Sequence, residues 1–201
     1  MTRIALTFDS RRQMRNETNQ RLVHDHAELN KRLGELIAAL STHDIRAIHA
    51  RLDLFWAHLG VHIRAEHLHL FPAIVSALSE AGEDHAGDKP TLLQAQNAIA
   101  ELRRDHDFFM HELSSAIAVM RELSTIAVQR VPEERLDDVR TRIIALADRL
   151  SVHNRLEENG VYLWTRTLLS EAGQSALVAG VIRELANMPP RFAQTPVTQP
   201  D

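Results

Sequence analysis

The unit Val61-His62-Ile63-Arg64-Ala65-Glu66 returns ninety-one residues later as Val152-His153-Asn154-Arg155-Leu156-Glu157. Each copy has a Leu two positions before its Val, Leu59 and Leu150. On an α-helix, His and Glu four apart are separated by about 400° of rotation, so both side chains fall on one face, a turn apart. An imidazole stacked on a carboxylate in this way is half of a metal site. A chain with two such halves is constrained to a helical fold that brings them together.

The rest of the composition agrees with a helical domain. At 201 residues the chain suffices for one well-buried core. Seven Gly and seven Pro are few, and most of them fall between or after long periodic runs. A net charge of -4 argues against nucleic acid or an acidic membrane surface as partner. The absence of Cys excludes disulfides, thiolate zinc sites and thiolate-held iron–sulfur clusters. Residues 1–10 carry no apolar run long enough for a signal peptide, and no stretch approaches a membrane helix, so the expected location is the cytoplasm. The unusual feature is twelve His.

Four long helices are expected. Residues 1–11 have no clear period and read as an arm. Helix A, over 12–40, has the apolar seam Leu22, His26, Leu29, Leu33, Leu36 and Leu40, with Ser41 or Asp44 as the cap of the next helix. Helix B, over 45–78, has the seam Leu52, Phe55, Leu59, His62, Glu66, His69 and Ala73, with Pro72 expected to kink it or end its regular part. Gly82, Gly87 and Pro90 mark the clearest break. Helix C, over 91–128, starts at Thr91 and has the seam Leu92, Ala95, Ile99, Leu102, His106, Phe109, Leu113, Ala116 and Met120. Pro132 fits the first turn of helix D, whose seam is Leu136, Val139, Ile143, Leu146, Leu150, His153, Glu157, Val161, Trp164 and Leu168. Asn159-Gly160 is expected to loosen it. Gly173 ends helix D or introduces a short fifth helix over 174–187, and a frayed tail comes after Pro189-Pro190. The expected fold is all-α: an antiparallel up-down-up-down four-helix bundle over 12–172, with the short helix and tail over 173–201.

The bundle is also an internal repeat. Helix A holds Leu22, Asp25-His26, Leu29 and Leu33, and helix C holds Leu102, Asp105-His106, Phe109 and Leu113 at identical offsets. The chain is therefore two helix hairpins, each with one His followed by a His-x-x-x-Glu.

His26, His62, Glu66, His106, His153 and Glu157 all occupy seam positions that an ordinary bundle fills with Leu, Ile, Val or Ala. Burying an ionised Glu without a partner costs several kcal/mol or more, against a total stability of about 5–15 kcal/mol. Two multivalent cations resolve the conflict. A set of imidazoles and carboxylates without sulfur suits iron or manganese, and the ligand types also admit zinc. Taken singly, each seam His is most simply a hydrogen-bonded core histidine, and one His-x-x-x-Glu a surface pair. Two matched copies, each joined to an Asp-His at matched offsets, favour the metal.

The other polar residues divide less sharply. His69 lies on the seam and reads as a partly wet neighbour of the site, a seventh ligand or a gate. His58 flanks the seam a turn before His62. His67 is about 100° round from Glu66 and is expected to stay out of the site. His111 is badly placed to share a metal with His106, and His24, His43, His49 and His85 read as surface residues. Asp25 and Asp105 either hold a His of the next helix or are exposed acids. Phe71, Phe109, Trp164 and Tyr162 are expected to pack around the polar layer; a Tyr162 hydroxyl turned into the site is the alternative.

At these residues the chain resembles the hemerythrin-like proteins with HHE cation-binding domains. The resemblance rests on Asp25-His26, on His62-x-x-x-Glu66 followed by Leu70-Phe71-Pro72, on Asp105-His106 and on His153-x-x-x-Glu157-Glu158. It covers about residues 15–170. It implies a four-helix bundle with a non-haem centre of two iron ions. In it His26, His62, His106 and His153 are terminal ligands and Glu66 and Glu157 bridge, with an oxo or hydroxo group between the irons. There are departures. Oxygen-carrying members have a second His four residues after the helix C ligand, where Met110 stands. The acid that often follows the helix B Glu is His67. The pattern is nearer the symmetric members associated with iron–sulfur repair under nitrosative stress, without their Cys-containing N-terminal segment.

The expected function is a diiron protein that binds or turns over dioxygen, nitric oxide or peroxide as a sensor, a scavenger or a catalase-like enzyme. The expected partner is that small molecule, with no nucleic acid and no membrane, and a homodimer is compatible with the chain. The alternative is a regulatory module whose iron occupancy orders the bundle without turnover, reported by the fifth helix or the tail. A metal-free bundle kept for association is the third reading.

Overall fold

The structure, a computed structural model, describes residues 8–81, 89–126 and 132–192, with side chains from residue 20 onward. The start of the expected arm, the break at Gly82 and Gly87 with His85 and the tail beyond residue 192 lie outside the described residues. Helix C, expected to run to Val128, ends at Leu123 and gives way to turns over 124–126. Among the described residues the chain is all-helical, and no helix is long and apolar enough to cross a membrane.

Helix α1 (Phe8–Leu40) starts four residues before the expected 12; no Gly or Pro in 8–11 opposes it. The second rod is α2 (Ile45–Ala65), a single wide π-turn (Glu66–Leu70) and α3 (Phe71–Ala81). Of the two expected caps, Asp44 is used, its carboxylate accepting from the Ala47 N–H. The third rod is α4 (Leu92–Leu123), opened by a reciprocal pair in which Thr91 accepts from the Gln94 N–H and Gln94 accepts from the Thr91 N–H. The fourth rod repeats the second: α5 (Glu133–Leu156), a π-turn (Glu157–Val161) and α6 (Tyr162–Leu168). Pro132 sits just before α5, with Glu133 and Glu134 in the first turn where the helix dipole favours them. Helix α7 (Glu171–Leu185) begins three residues before the expected 174, because Ser170 caps it by accepting from the Gly173 N–H.

The interruptions expected at Pro72 and at Asn159-Gly160 both take the form of π-turns, and both start at the Glu of a His-x-x-x-Glu. In the first, the Phe71 N–H reaches back five residues to the Glu66 carbonyl. Pro72 comes directly after, with no N–H to give and a ring that crowds the carbonyl four residues back. In the second, the Tyr162 N–H reaches the Glu157 carbonyl in the same way. A π-turn holds one residue more than an α-turn, so everything after it is rotated by about 100°. The expected seam is corrected accordingly. Beyond Glu66 the buried stripe is Leu70, Ile74 and Leu78, while His69 and Ala73 are only half-buried. Beyond Glu157 it is Val161, Tyr162 and Thr165, and Trp164 and Leu168 move outward.

The rods form a ring: α1 packs on α2 and α5, α2 on α4, and α4 on α5. Between α4 and α5, Asp105 meets Arg149, Glu112 meets Arg142 and Glu122 meets Arg135, so the pairing steps back along one helix as it steps forward along the other. The interior divides into two apolar compartments. One runs from Leu29 to Leu40 on α1 and from Phe109 to Leu123 on α4, with their α2 and α5 neighbours. The other gathers Leu22, Leu70, Phe71, Ile99, Leu102 and Val161. A polar layer separates them.

Helix α7 lies across α1, α2 and the first π-turn. Leu177 and Val181 enter the second apolar compartment. The Arg64 Nε–H donates to Glu184 over 2.5 Å, and Arg191 forks onto the Asp53 carboxylate at 2.9 and 3.0 Å. Gly180 is required by close approach: a Cβ there would stand 2.6 Å from His69 Nδ1 and 2.8 Å from its Cγ. Gly180→Ala is expected to lower stability by about 1–3 kcal/mol through overpacking, read as a shifted urea midpoint. An unshifted midpoint would mean that the His69 ring moves aside freely.

Candidate metal centre

The seam places His26 on α1, His62 at the end of α2, His106 on α4 and His153 at the end of α5, each 1–2% exposed. Glu66 and Glu157, each opening a π-turn, are fully buried. All six expected residues meet in the polar layer. Two groups have donor atoms that all lie within 4.8 Å of one another: His26, His62, Glu66 and Glu157, and Glu66, His106, His153 and Glu157.

Each imidazole is held from outside through Nδ1. His62 Nδ1 lies 2.8 Å from Asp25 Oδ2, and His153 Nδ1 lies 3.1 Å from Asp105 Oδ2. His26 Nδ1 lies 2.8 Å from Glu158 Oε1, and His106 Nδ1 lies 2.9 Å from His67 Nε2. Asp25 and Asp105 are therefore buried partners of a His on the next rod, not exposed acids. Their other oxygens are used as well: His58 Nε2 sits 2.9 Å from Asp25 Oδ1, and the Arg149 Nε–H donates to Asp105 Oδ1 over 2.7 Å.

These outer bonds fix what faces inward. A neutral imidazole that donates through Nδ1 presents a lone pair at Nε2. The Nε2 atoms of His26 and His62 face each other at 3.1 Å, as do those of His106 and His153. Each carboxylate reaches one imidazole of each pair. Glu66 Oε1 is 3.4 Å from His62 and its Oε2 is 3.3 Å from His106. Glu157 Oε2 is 3.2 Å from His26 and its Oε1 is 3.1 Å from His153. Among the described residues, Glu66 Oε2 and Glu157 Oε1 accept no hydrogen bond of good geometry. The centre is thus a cluster of acceptors with almost no donors, which is the environment of a cation.

Among the described residues the one inward donor is Tyr162. Its hydroxyl lies 2.5 Å from Glu66 Oε1, 3.2 Å from Glu157 Oε2 and 3.0 Å from His26 Nε2. Its single proton serves one of the three at a time. The reading of Tyr162 as a packing residue is thereby corrected: five residues past Glu157 points away from the seam on an α-helix, and the extra residue of the π-turn swings it back. His67, expected outside the site, supports His106, because a flanking position faces the neighbouring rod. Glu158 does the same for His26. Sequence reasoning missed Glu158 and Arg149 as well; the signal available was the repeat itself, since 58, 62, 66, 67 and 71 map onto 149, 153, 157, 158 and 162. Phe71 and Phe109 pack as expected, Phe71 stacked on His106 with centroids 6.1 Å apart and Phe109 edge-on to His153 at 5.2 Å.

Without a cation, protons take its place. Burial opposes charge on His62, but Glu66 and Asp25 outweigh it and hold the imidazolium well above its usual range. His153 is raised in the same sense by Glu157 and Glu66 against burial. Burial favours neutral Glu66 and Glu157, yet the surrounding imidazoles keep both carboxyls below their ordinary range. Asp25 is lowered too, His58 and His62 outweighing its burial. Burial and the charge on His106 depress His67, so it accepts as a neutral ring. Burial and the two carboxylates push the Tyr162 phenol well up.

The metal-free protein should therefore be most stable on the acid side of neutrality. The depressed acids stabilise above about pH 4 and lose that contribution as pH falls through their lowered values; the raised imidazoles stabilise fully below about pH 6.5 and lose theirs as pH rises through their raised values. Cation binding, which needs neutral imidazoles, should strengthen as pH rises. Melting curves from pH 4 to 9, with and without chelator, check both slopes.

No curated protein matches the sequence. The family description of the hemerythrin HHE cation binding domain matches residues 17–164, a stretch that contains all six polar seam residues. Most of the chain, with the polar layer at its centre, therefore belongs to the hemerythrin HHE cation-binding family.

Proposed function

We propose that the chain holds two cations, iron first, in a bundle whose four rods run up-down-up-down. His26 and His62 would hold one and His106 and His153 the other, with Glu66 and Glu157 shared between them. The observation that carries this reading is the excess of inward acceptors: four imidazole lone pairs and two buried carboxylates meet one phenol proton. When bound, iron would supply the redox change and the affinity for dioxygen, nitric oxide or peroxide. The protein's own part is to fix the ring tautomers through Asp25, Asp105, Glu158 and His67 and to keep bulk water out with the two apolar compartments. Sensing, scavenging or the handling of iron and nitrosative stress are the roles that fit such a centre.

Metal analysis of the freshly purified protein, with a visible spectrum before and after peroxide or nitric oxide, tests the reading. About two irons per chain and a spectral response are expected. An iron-loaded protein that responds to neither reagent would leave the regulatory alternative, favoured by the fact that all four rods contribute to one layer.

A further inference from the structure

Facing inward, the two halves of the centre are built alike except at one place. Five residues past each shared Glu stands an aromatic ring stacked on the imidazole of a neighbouring rod. Phe71 lies on His106 at 6.1 Å and 17°, and Tyr162 lies on His26 at 5.5 Å and 29°. The rings match, and only one carries an oxygen.

That oxygen stands at a donor position. In a six-coordinate ion with bonds of about 2.1 Å, neighbouring donor atoms lie about 3.0 Å apart. In the first half, His26 Nε2 lies 3.1 Å from His62 Nε2 and 3.2 Å from Glu157 Oε2, and His62 Nε2 lies 3.4 Å from Glu66 Oε1. The Tyr162 hydroxyl is 3.0, 3.2 and 2.5 Å from His26, Glu157 and Glu66. Its distances to His26 and Glu157 match those among the other donors, the shorter one to Glu66 is the hydrogen bond that its proton now makes, and the site is fully buried. A phenol there for packing alone would not need to meet three acceptors with one proton.

We propose that Tyr162 is a fifth donor to the cation of the His26–His62 half, and that Phe71 leaves the His106–His153 half one donor short. This rests on the two-cation reading above. On binding, the phenol O–H bond breaks, an oxygen–metal bond forms and the proton leaves to solvent; a cation's charge outweighs the two carboxylates that otherwise keep the phenol protonated. The centre is then asymmetric although its six His and Glu residues are symmetric.

The sequence makes the test clean, because Tyr162 is the only tyrosine. Protein loaded with ferric iron should show a phenolate-to-iron charge-transfer band, and excitation within that band should enhance tyrosinate ring vibrations in the Raman spectrum. Both should vanish in Tyr162→Phe, which keeps the ring on His26. Chelator competition with cobalt(II) should show the tighter of two binding steps weakened by about tenfold or more in that variant. Two irons per chain without tyrosinate bands in the wild type would overturn this inference alone. Absence of bound iron would overturn the two-cation reading with it. The wild-type Raman spectrum decides the matter even if the variant does not fold.

Discussion

Stripping the cations with a chelator should lower the melting temperature by about 5–11 °C relative to protein held at about a hundred times the dissociation constant. Binding to the folded state alone is worth about 2.7 kcal/mol at that ratio, and a chain of this size shifts by about 2–4 °C per kcal/mol. The physical origin is the polar layer. Glu66 and Glu157 are fully buried, each with an oxygen that accepts no hydrogen bond of good geometry among the described residues, and the Nε2 atoms confront each other at 3.1 Å. Protons relieve part of this, which is why His62 and His153 are pushed up, but protons do not bridge two carboxylates to four rings. Calorimetry with and without chelator, followed by re-addition of ferrous iron, makes the measurement. Superimposed transitions would sink the cation reading, because four rods would then be sharing a polar core at no cost.

Asp25→Ala should be the most damaging change outside the six seam residues. One carboxylate holds both His62 and His58, at 2.8 and 2.9 Å, and Asp25 is only 9% exposed. Removing it leaves two buried imidazoles without their acceptor and frees the tautomer of His62. The expected cost is about 3–5 kcal/mol in the metal-free protein and about 10–100-fold in cation affinity. Asp25→Asn, which keeps the shape and one acceptor oxygen, should fall between. The control is Asp53, whose pair with Arg191 lies on the surface and should cost far less when broken. If Asp25→Ala and Asp53→Ala unfold at the same urea concentration, the carboxylate behind His62 is not a structural partner.

Much of the centre is legible without coordinates. A helical seam interrupted by His and Glu is readable because buried positions recur every three or four residues, and a polar residue in that series has to be explained. His26, His62, Glu66, His106, His153 and Glu157 are identified on this ground, and the polar layer between two apolar compartments is the result. The repeat also pairs Asp25 with Asp105. Its further use would pair Glu158 with His67 and Tyr162 with Phe71.

The residues misplaced from sequence are displaced by one cause. Counting an unbroken α-helix through Glu66 and Glu157 puts His69, Ala73 and Trp164 on the seam and Tyr162 off it. Pro72 signals the first π-turn, because it has no N–H to donate. The second has only Asn159-Gly160, which says that the helix is weak there and not by how much it turns. His67 and Glu158 are underrated for another reason: their partners, His106 and His26, lie 39 and 132 residues away, and which rod stands beside which is set by packing. The helices, the seam and the six buried imidazoles and carboxylates are properties of the chain alone, since they depend on local periodicity and the cost of burying charge. The turn of each helix past its Glu, the outer partner of every imidazole and the single phenol at the centre emerge only on packing, because they depend on the angle at which one rod meets the next.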